Sequence, residues 1–182
     1  MMDNEYPPEL LQRPWQTPAT MVHSWGWHAK DYNWKTAREM VGYLVSNTSK
    51  GGNYLLNIGP KPDGTFPAMA VRRLREIGGW MAANAEALYG TDPVLIKAPQ
   101  HVCLTQKSIN GKNYMYASLV HALADSRIVL PVSYDAINSI HILDTGMPIK
   151  FEDADNKSIA ILLPQKTALA DDGVTVLKIA LK

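Results

Sequence analysis

The chain has 182 residues, 46% of them apolar, with 18 basic and 17 acidic side chains for a net charge of +1. That length allows one large domain or two small ones, and that apolar share supports a packed core and excludes wholesale disorder. The near-neutral charge leaves no basic field to attract nucleic acid or an anionic membrane, and Cys103, the only cysteine, excludes intrachain disulfides and cysteine-cluster zinc sites.

The N-terminus, Met1-Met2-Asp3-Asn4-Glu5-Tyr6-Pro7-Pro8, is polar and does not read as a signal peptide, so the chain is expected either to be cytosolic or to begin downstream of a natural start. No apolar run approaches the roughly 18 residues that cross a bilayer. The most informative segment follows: Trp15-Gln16-Thr17-Pro18-Ala19-Thr20-Met21 and then Ser24-Trp25-Gly26-Trp27, with three tryptophans inside thirteen residues. Tryptophan faces stack on the apolar faces of sugar rings, and nearby amides and hydroxyls satisfy sugar hydroxyls, a common small-ligand design. Core or interface packing is the competing reading of the same tryptophans.

From position 33 to 90 the pattern is helix, strand, helix. Asp31 or Asn33 caps a helix whose stripe is Trp34, Ala37, Met40, Val41, Leu44 and Val45, and Gly51-Gly52 stops it. Tyr54-Leu55-Leu56-Asn57-Ile58 reads as a strand covered on both faces, as in a parallel sheet. Gly59-Pro60-Lys61-Pro62-Asp63-Gly64 is a turn by its chemistry. Pro67 sits in the first turn of a second helix with the stripe Val71, Leu74, Ile77, Met81 and Leu88, ended by Gly90. Its Gly78-Gly79 pair is a local weakness of about 1 kcal/mol per glycine.

From Thr91 the period changes to two, with Thr91-Asp92-Pro93 as the boundary. Strands are expected at 102–107, 113–120, 127–132, 139–144, 148–152, 157–163 and 174–181, and Asn110-Gly111 is a hairpin signal for a type I′ turn. Seven short strands with turn residues between them predict an antiparallel sandwich. The fold class is thus α/β followed by all-β, divided at 1–90 and 91–182. A lone helix–strand–helix unit leaves both edges of its strand without partners, so residues 1–90 read as the last part of a (β/α)₈-type barrel, the tail of something larger.

Arg13-Pro14-Trp15-Gln16-Thr17-Pro18-Ala19-Thr20-Met21, Ser24-Trp25-Gly26-Trp27, Ser49-Lys50-Gly51-Gly52-Asn53-Tyr54-Leu55-Leu56-Asn57-Ile58-Gly59-Pro60, Pro62-Asp63-Gly64, Leu74-Arg75-Glu76-Ile77-Gly78-Gly79-Trp80 and Asn84-Ala85-Glu86-Ala87-Leu88-Tyr89-Gly90 resemble the C-terminal part of the α-L-fucosidases of glycoside hydrolase family 29. The resemblance runs from about Pro7 to Pro93, while the later strands match in position and character rather than in motif. It implies a retaining exo-glycosidase that removes terminal α-L-fucose from oligosaccharides or glycoconjugates, built from a catalytic barrel followed by a β-sandwich, with no metal or other cofactor. Retention needs two carboxyl groups roughly 5–5.5 Å apart. The resemblance places the nucleophilic aspartate and the fucose-holding histidines on earlier barrel strands, upstream of Met1, so the isolated chain is expected to be inert. It also implies a secreted, periplasmic or lysosomal parent.

In many members a glutamate acting as acid/base stands where this chain has Gln16. Glutamine has no proton to give at a useful pH but still hydrogen-bonds a sugar or glycosidic oxygen. Either the parent belongs to a glutamine-bearing branch that takes its acid from another loop, or it has lost a group worth roughly 10²–10⁴-fold in rate. Trp25 is the expected wall beside the methyl-bearing face of fucose, Trp15 orients Gln16, and Trp27 stands between a pocket role and a structural one. His23 and His28 flank Trp25 but have no evident third metal ligand nearby and read as solvated or locally hydrogen-bonded. Asn57 reads either as a strand-end functional group or as a fastener of loop backbone. Arg72, Arg73, Arg75, Glu76 and Glu86 read as wet helix face, and Cys103 as a small buried residue. The expected partner is a fucosylated oligosaccharide or glycoconjugate, with the missing N-terminal barrel segment as a further one; nucleic acid and membrane are not expected. The competing functions are a carbohydrate-binding module and a purely structural accessory module without catalysis.

Overall fold

The computed structural model describes residues 7, 10, 11, 13–120, 126–164 and 173–182, so most of the polar N-terminal stretch lies outside the described residues. The chain is α/β and then sheet-rich, in two compact units, Met1–Ala82 and Ala83–Lys182. Among the described residues no helix is long and apolar enough to cross a membrane.

The first unit runs β1 (Gln16–Thr20), α1 (Ala37–Thr48), β2 (Asn53–Asn57) and into α2 (Ala68–Asn84). β1 and β2 pair in parallel, from Gln16 opposite Asn53 to Thr20 opposite Asn57. β1 is not among the expected elements, and Pro18 at its centre explains why: proline gives no ladder donor and counts against a strand, yet is tolerated at an edge. Nor is α1 capped by Asp31 or Asn33. Its N-cap is Thr36, in a capping box where Thr36 Oγ1 accepts from Glu39 N at 3.1 Å and Thr36 N donates to Glu39 Oε2 at 2.6 Å. Two orphan donors are thereby satisfied, which stabilises the helix by about 1 kcal/mol. Trp34 consequently falls before the helix, where it packs with Leu56, Ile58, Leu74 and Ile77 on the buried Met21, Met40 and Ala70.

Alternation puts Tyr54 and Leu56 of β2 on the helix side and Leu55 on the other. Leu55 is 52% exposed, so the described elements cover one face of the strand and not both. Tyr54 stacks on Tyr43 at 6.3 Å between ring centroids, and its buried hydroxyl has no hydrogen-bond partner among the described residues. Burial pushes that hydroxyl's pKa up, and the neighbouring Tyr43 adds to the shift. An unpaired buried hydroxyl carries a desolvation cost that phenylalanine does not. Tyr54→Phe is therefore expected to leave stability unchanged or raise it by up to about 1 kcal/mol, read from urea midpoints; a loss above that would mean the hydroxyl is bonded.

The second unit has two antiparallel sheets. The larger is ordered β3 (Asp92–Pro93), β4 (Val102–Ile109), β5 (Lys112–Leu119), β10 (Thr175–Leu181), β7 (Ile137–Ile142). The smaller is β6 (Arg127–Leu130), β9 (Ile159–Leu162), β8 (Lys150–Asp153). The β4–β5 hairpin turns at Asn110 and Gly111 with φ of 50° and 77°, the left-handed pair that a type I′ turn requires. Alternate residues of both sheets, among them Leu104, Ala117, Leu177 and Ile179 from the larger and Leu130 and Ile161 from the smaller, share one buried core.

On the other face of the large sheet, Glu86 is held rather than solvated. Its Oε1 accepts from Tyr116 OH at 2.6 Å and lies 2.6 Å from Lys178 Nζ, while Thr105 donates to Ala87 O at 2.8 Å. Burial raises the Glu86 pKa, but the hydrogen bonds from Lys178 and Tyr116, together with the charges of Lys178 and Lys107, outweigh it and hold the carboxyl below its ordinary value. A depressed folded pKa means that the unfolded chain binds the proton more readily, so this contribution is complete above the ordinary glutamate range and lost as pH falls through the folded value. Glu86→Gln is expected to cost about 1 kcal/mol at pH 7, a modest figure because the pair is partly exposed and screened. Urea melts from pH 7 to pH 3 should show the difference between wild type and variant shrinking; a constant difference would contradict the assignment.

Candidate functional site

The segment from Met21 to Trp34 leaves β1 at its carboxyl end and returns to α1 as a loop fastened at several points. At its base, Lys35 N donates to Met21 O at 2.9 Å and Lys35 Nζ to Thr20 O at 2.7 Å. Arg73 Nε donates to Lys35 O at 3.0 Å. Across its middle, Asp31 Oδ2 accepts from Ser24 N at 3.0 Å and lies 3.0 Å from Ser24 Oγ, and Asp31 Oδ1 is 3.4 Å from Asn33 N. The Ser24 backbone donor is the chief cause holding the Asp31 carboxyl below its usual value, with the Ser24 hydroxyl, Asn33 N and His23 adding to it against a partial desolvation. His23 Nε2 lies 2.7 Å from Asn33 Nδ2, and His28 Nδ1 accepts from Lys30 N at 3.3 Å, so both histidines are locally hydrogen-bonded. Among the described residues no group of three or more histidine, cysteine, aspartate or glutamate side chains is placed to hold a metal.

The far side of the loop is fixed from the end of β2. Asn57 Nδ2 donates to Trp25 O at 2.7 Å, which makes Asn57 a fastener of loop backbone. Gly59 then runs so close beneath the loop that a Cβ there would lie 2.7 Å from Trp27 N and 2.8 Å from the Gly26 carbonyl carbon. A residue without a side chain is needed at this crossing. Thus Ser24-Trp25-Gly26-Trp27 is presented from a backbone fixed on two sides, with Trp25 at 42% and Trp27 at 41% exposure. Two large aromatic rings held half in solvent by a fastened loop have the form of a binding wall.

A pocket of about 180 Å³ opens beside them, lined by Met21, Trp27, Asp31, Trp34, Ile58 and Pro67 among others. It lies past the carboxyl ends of both parallel strands, where open α/β sheets bind ligands. Trp27 lines it and Trp25 flanks it through its backbone. Gln16 and Trp15 are at the opposite end of β1. Gln16 is the exposed first residue of that strand, so a rise of ~3.3 Å per residue puts it roughly 13 Å from Thr20 along the strand. Trp15 is 7% exposed, donates from Nε1 to Lys50 O at 3.2 Å, and has its ring against Gly52. Asp31, Tyr32 and Trp34 join the pocket without having been singled out for it in sequence. Trp34 fits a helical stripe equally well, and the Ser24–Asp31 bond that folds the loop back leaves no periodic signal. Among the described residues, Asp31 is the one carboxylate that lines the pocket.

Residues 1–86 match the sequence model of the α-L-fucosidases. The chain is 30% identical to the human plasma α-L-fucosidase over 180 residues, an alignment that covers 91% of this chain and 37% of that protein. Among solved structures, the α-L-fucosidase isoenzyme 1 of Paenibacillus thiaminolyticus superposes with a TM-score of 0.87 at 27% identity, covering 99% of this chain and 44% of that one. The Thermotoga maritima α-fucosidase in complex with fucose superposes with a TM-score of 0.73 at 26% identity, covering 94% of this chain and 40% of that one. Sequence and fold together place this chain among the relatives of glycoside hydrolases. Within that class the chain belongs to the α-L-fucosidase family, and it spans less than half the length of these relatives.

Proposed function

We propose that this chain supplies one wall of the substrate pocket of a retaining α-L-fucosidase, an exo-glycosidase that releases terminal α-L-fucose from oligosaccharides or glycoconjugates without a metal or other cofactor. The observation that carries the reading is the fastened loop bearing half-exposed Trp25 and Trp27 at the carboxyl end of the parallel pair. Trp25 packs on the apolar, methyl-bearing face of the sugar and Trp27 continues the wall toward the rest of the substrate. Gln16 aligns by motif with the family's acid/base glutamate but stands at the opposite end of β1 from this pocket and has no catalytic proton to give; buried Trp15 fixes the backbone that leads into it.

The same reading assigns residues 1–90 to the closing part of a (β/α)₈-type barrel and residues 91–182 to a β-sandwich. The order strand–helix–strand–helix with parallel pairing supports the first assignment, and the core shared by two antiparallel sheets supports the second. Retaining hydrolysis needs two carboxyl groups roughly 5–5.5 Å apart, and among the described residues the pocket's lining offers Asp31 alone, already engaged by Ser24. The attacking group is thus assigned to a segment other than this chain.

The test is a paired measurement on the purified 182-residue chain. L-fucose should produce a saturable shift of the Trp25 indole N–H signal, lost in Trp25→Ala, while aryl α-L-fucosides should not be turned over. No response to L-fucose would remove the sugar wall from the account, and turnover would mean the chain holds its own nucleophile.

A further inference from the structure

We propose that Asp31 is the positioning residue of the sugar wall: its carboxylate, bonded to Ser24, sets the direction in which Trp25 is presented, and it acts on the sugar through that ring without touching the sugar itself. What concerns the sugar rests on the fucosidase reading above; what concerns the loop does not.

Three hydrogen bonds close around Trp25. On its N-terminal side, Ser24 N donates to Asp31 Oδ2 at 3.0 Å. On its C-terminal side, Trp25 O accepts from Asn57 Nδ2 at 2.7 Å. Ser24 Oγ, 3.0 Å from the same Asp31 oxygen, donates to Gly26 O at 2.8 Å and so bridges over the tryptophan. The backbone of Ser24 and Trp25 therefore runs between two anchors, and opening either one returns conformational freedom to it. The ring is half-exposed, so packing covers only part of it and its direction is taken from its backbone. Of the two anchors, Asp31 is the stronger. Bonds to an ionised acceptor are about twice as strong as neutral ones, and Asn57 offers only a carboxamide. The Ser24 backbone bond is the chief cause that holds the Asp31 carboxyl below its usual value, so the acceptor is charged at neutral pH. The charged groups that bear on it are His23, on the loop itself, and Lys35, where the loop returns; Lys35 Nζ donates to Thr20 O at the loop's base. Asp31 is in turn fixed by its own backbone, since Asp31 N donates to His28 O at 3.1 Å. The carboxylate thus ties the outgoing limb of the loop to its returning limb, next to the ring that the sugar meets.

Asp31→Ala and Asp31→Asn are compared by NMR with the unaltered 182-residue chain, first without ligand and then with L-fucose. Without ligand, Asp31→Ala should move or broaden the Trp25 and Trp27 indole N–H signals, leave that of buried Trp15 in place, and speed exchange of the Ser24 amide roughly tenfold or more. Asp31→Asn keeps one oxygen to accept from Ser24 N, so it should fall between the other two, and it carries the same comparison if Asp31→Ala does not fold. With L-fucose, the affinity read at Trp25 should fall roughly tenfold or more in Asp31→Ala while the amplitude at saturation is kept. A merely structural role would lower the amplitude with the folded fraction and leave the affinity unchanged, and that result would overturn the proposal. Unchanged ligand-free signals and Ser24 exchange in a folded variant would also overturn it; if the affinity nonetheless fell, Asp31 would meet the sugar directly. No response of the unaltered chain to L-fucose would remove the sugar wall, and the ligand-free signals would then decide the role of Asp31 in the loop on their own.

Discussion

Gly52→Ala is expected to destabilise the first unit by about 3–5 kcal/mol, measured as the shift in its urea or thermal transition. A Cβ at position 52 would overlap three ring atoms of Trp15, a clash that no rotation of the methyl relieves. Trp15 has no room to step aside. It is buried, its Nε1 is bonded to Lys50 O, and its carbonyl accepts from Asn53 N at 3.0 Å at the head of the β1–β2 pairing. Expelling the ring forfeits the packing that a Trp→Ala substitution would lose, hence the magnitude. A loss below about 1 kcal/mol would show that the ring is not seated on Gly52 and that Trp15 is free to act elsewhere.

Gly59→Ala is expected to act on binding more than on folding. Its Cβ would meet backbone rather than a flexible side-chain end, with Trp25 O at 3.2 Å in addition to Trp27 N and the Gly26 carbonyl carbon. The loop has to lift away from β2, straining the Asn57–Trp25 hydrogen bond and displacing both exposed tryptophans together. The overpacking itself should cost about 1–3 kcal/mol. L-fucose binding should fall at least tenfold, because a misplacement of about 1 Å at a positioned group is worth factors of this size or larger. Full binding in a folded Gly59→Ala chain would mean that the loop's position is not what presents the wall.

The sequence and the structure agree most closely where local chemistry is self-sufficient. Asn110-Gly111 announces its hairpin because few other residue pairs take positive φ twice, and the period-two runs after Thr91 appear as strands because half of each faces a core. Agreement fails where a long-range partner decides. β1 contains Pro18 and has no alternation of its own, and becomes a strand through its parallel pairing with β2. The start of α1 was readable, since Thr36 and Glu39 have the capping-box spacing, but Asp31 and Asn33 are equally good caps in isolation and are occupied by the loop closure instead. The same holds for Glu86, which reads as wet helix face until Tyr116 and Lys178 arrive from strands far along the chain.

At the candidate site, the aromatic cluster was visible as composition, but its division was not. Trp15, Trp25 and Trp27 are close in sequence, yet the run of β1 separates the buried first from the half-exposed other two. Trp34 and Asp31 reach the pocket because the loop folds back on itself, a closure made by one carboxylate and the backbone of Ser24.

Trp25 is assigned to stand against a sugar of one hand, and a pair of enantiomers decides whether it does. Titrating the 182-residue chain with L-fucose and, separately, with D-fucose while following the Trp25 indole N–H keeps composition, polarity and size constant and changes only the shape presented to the loop. A saturable Trp25 response to L-fucose at least tenfold tighter than any response to D-fucose is expected; equal responses, or none to either, would take Trp25 out of the sugar wall.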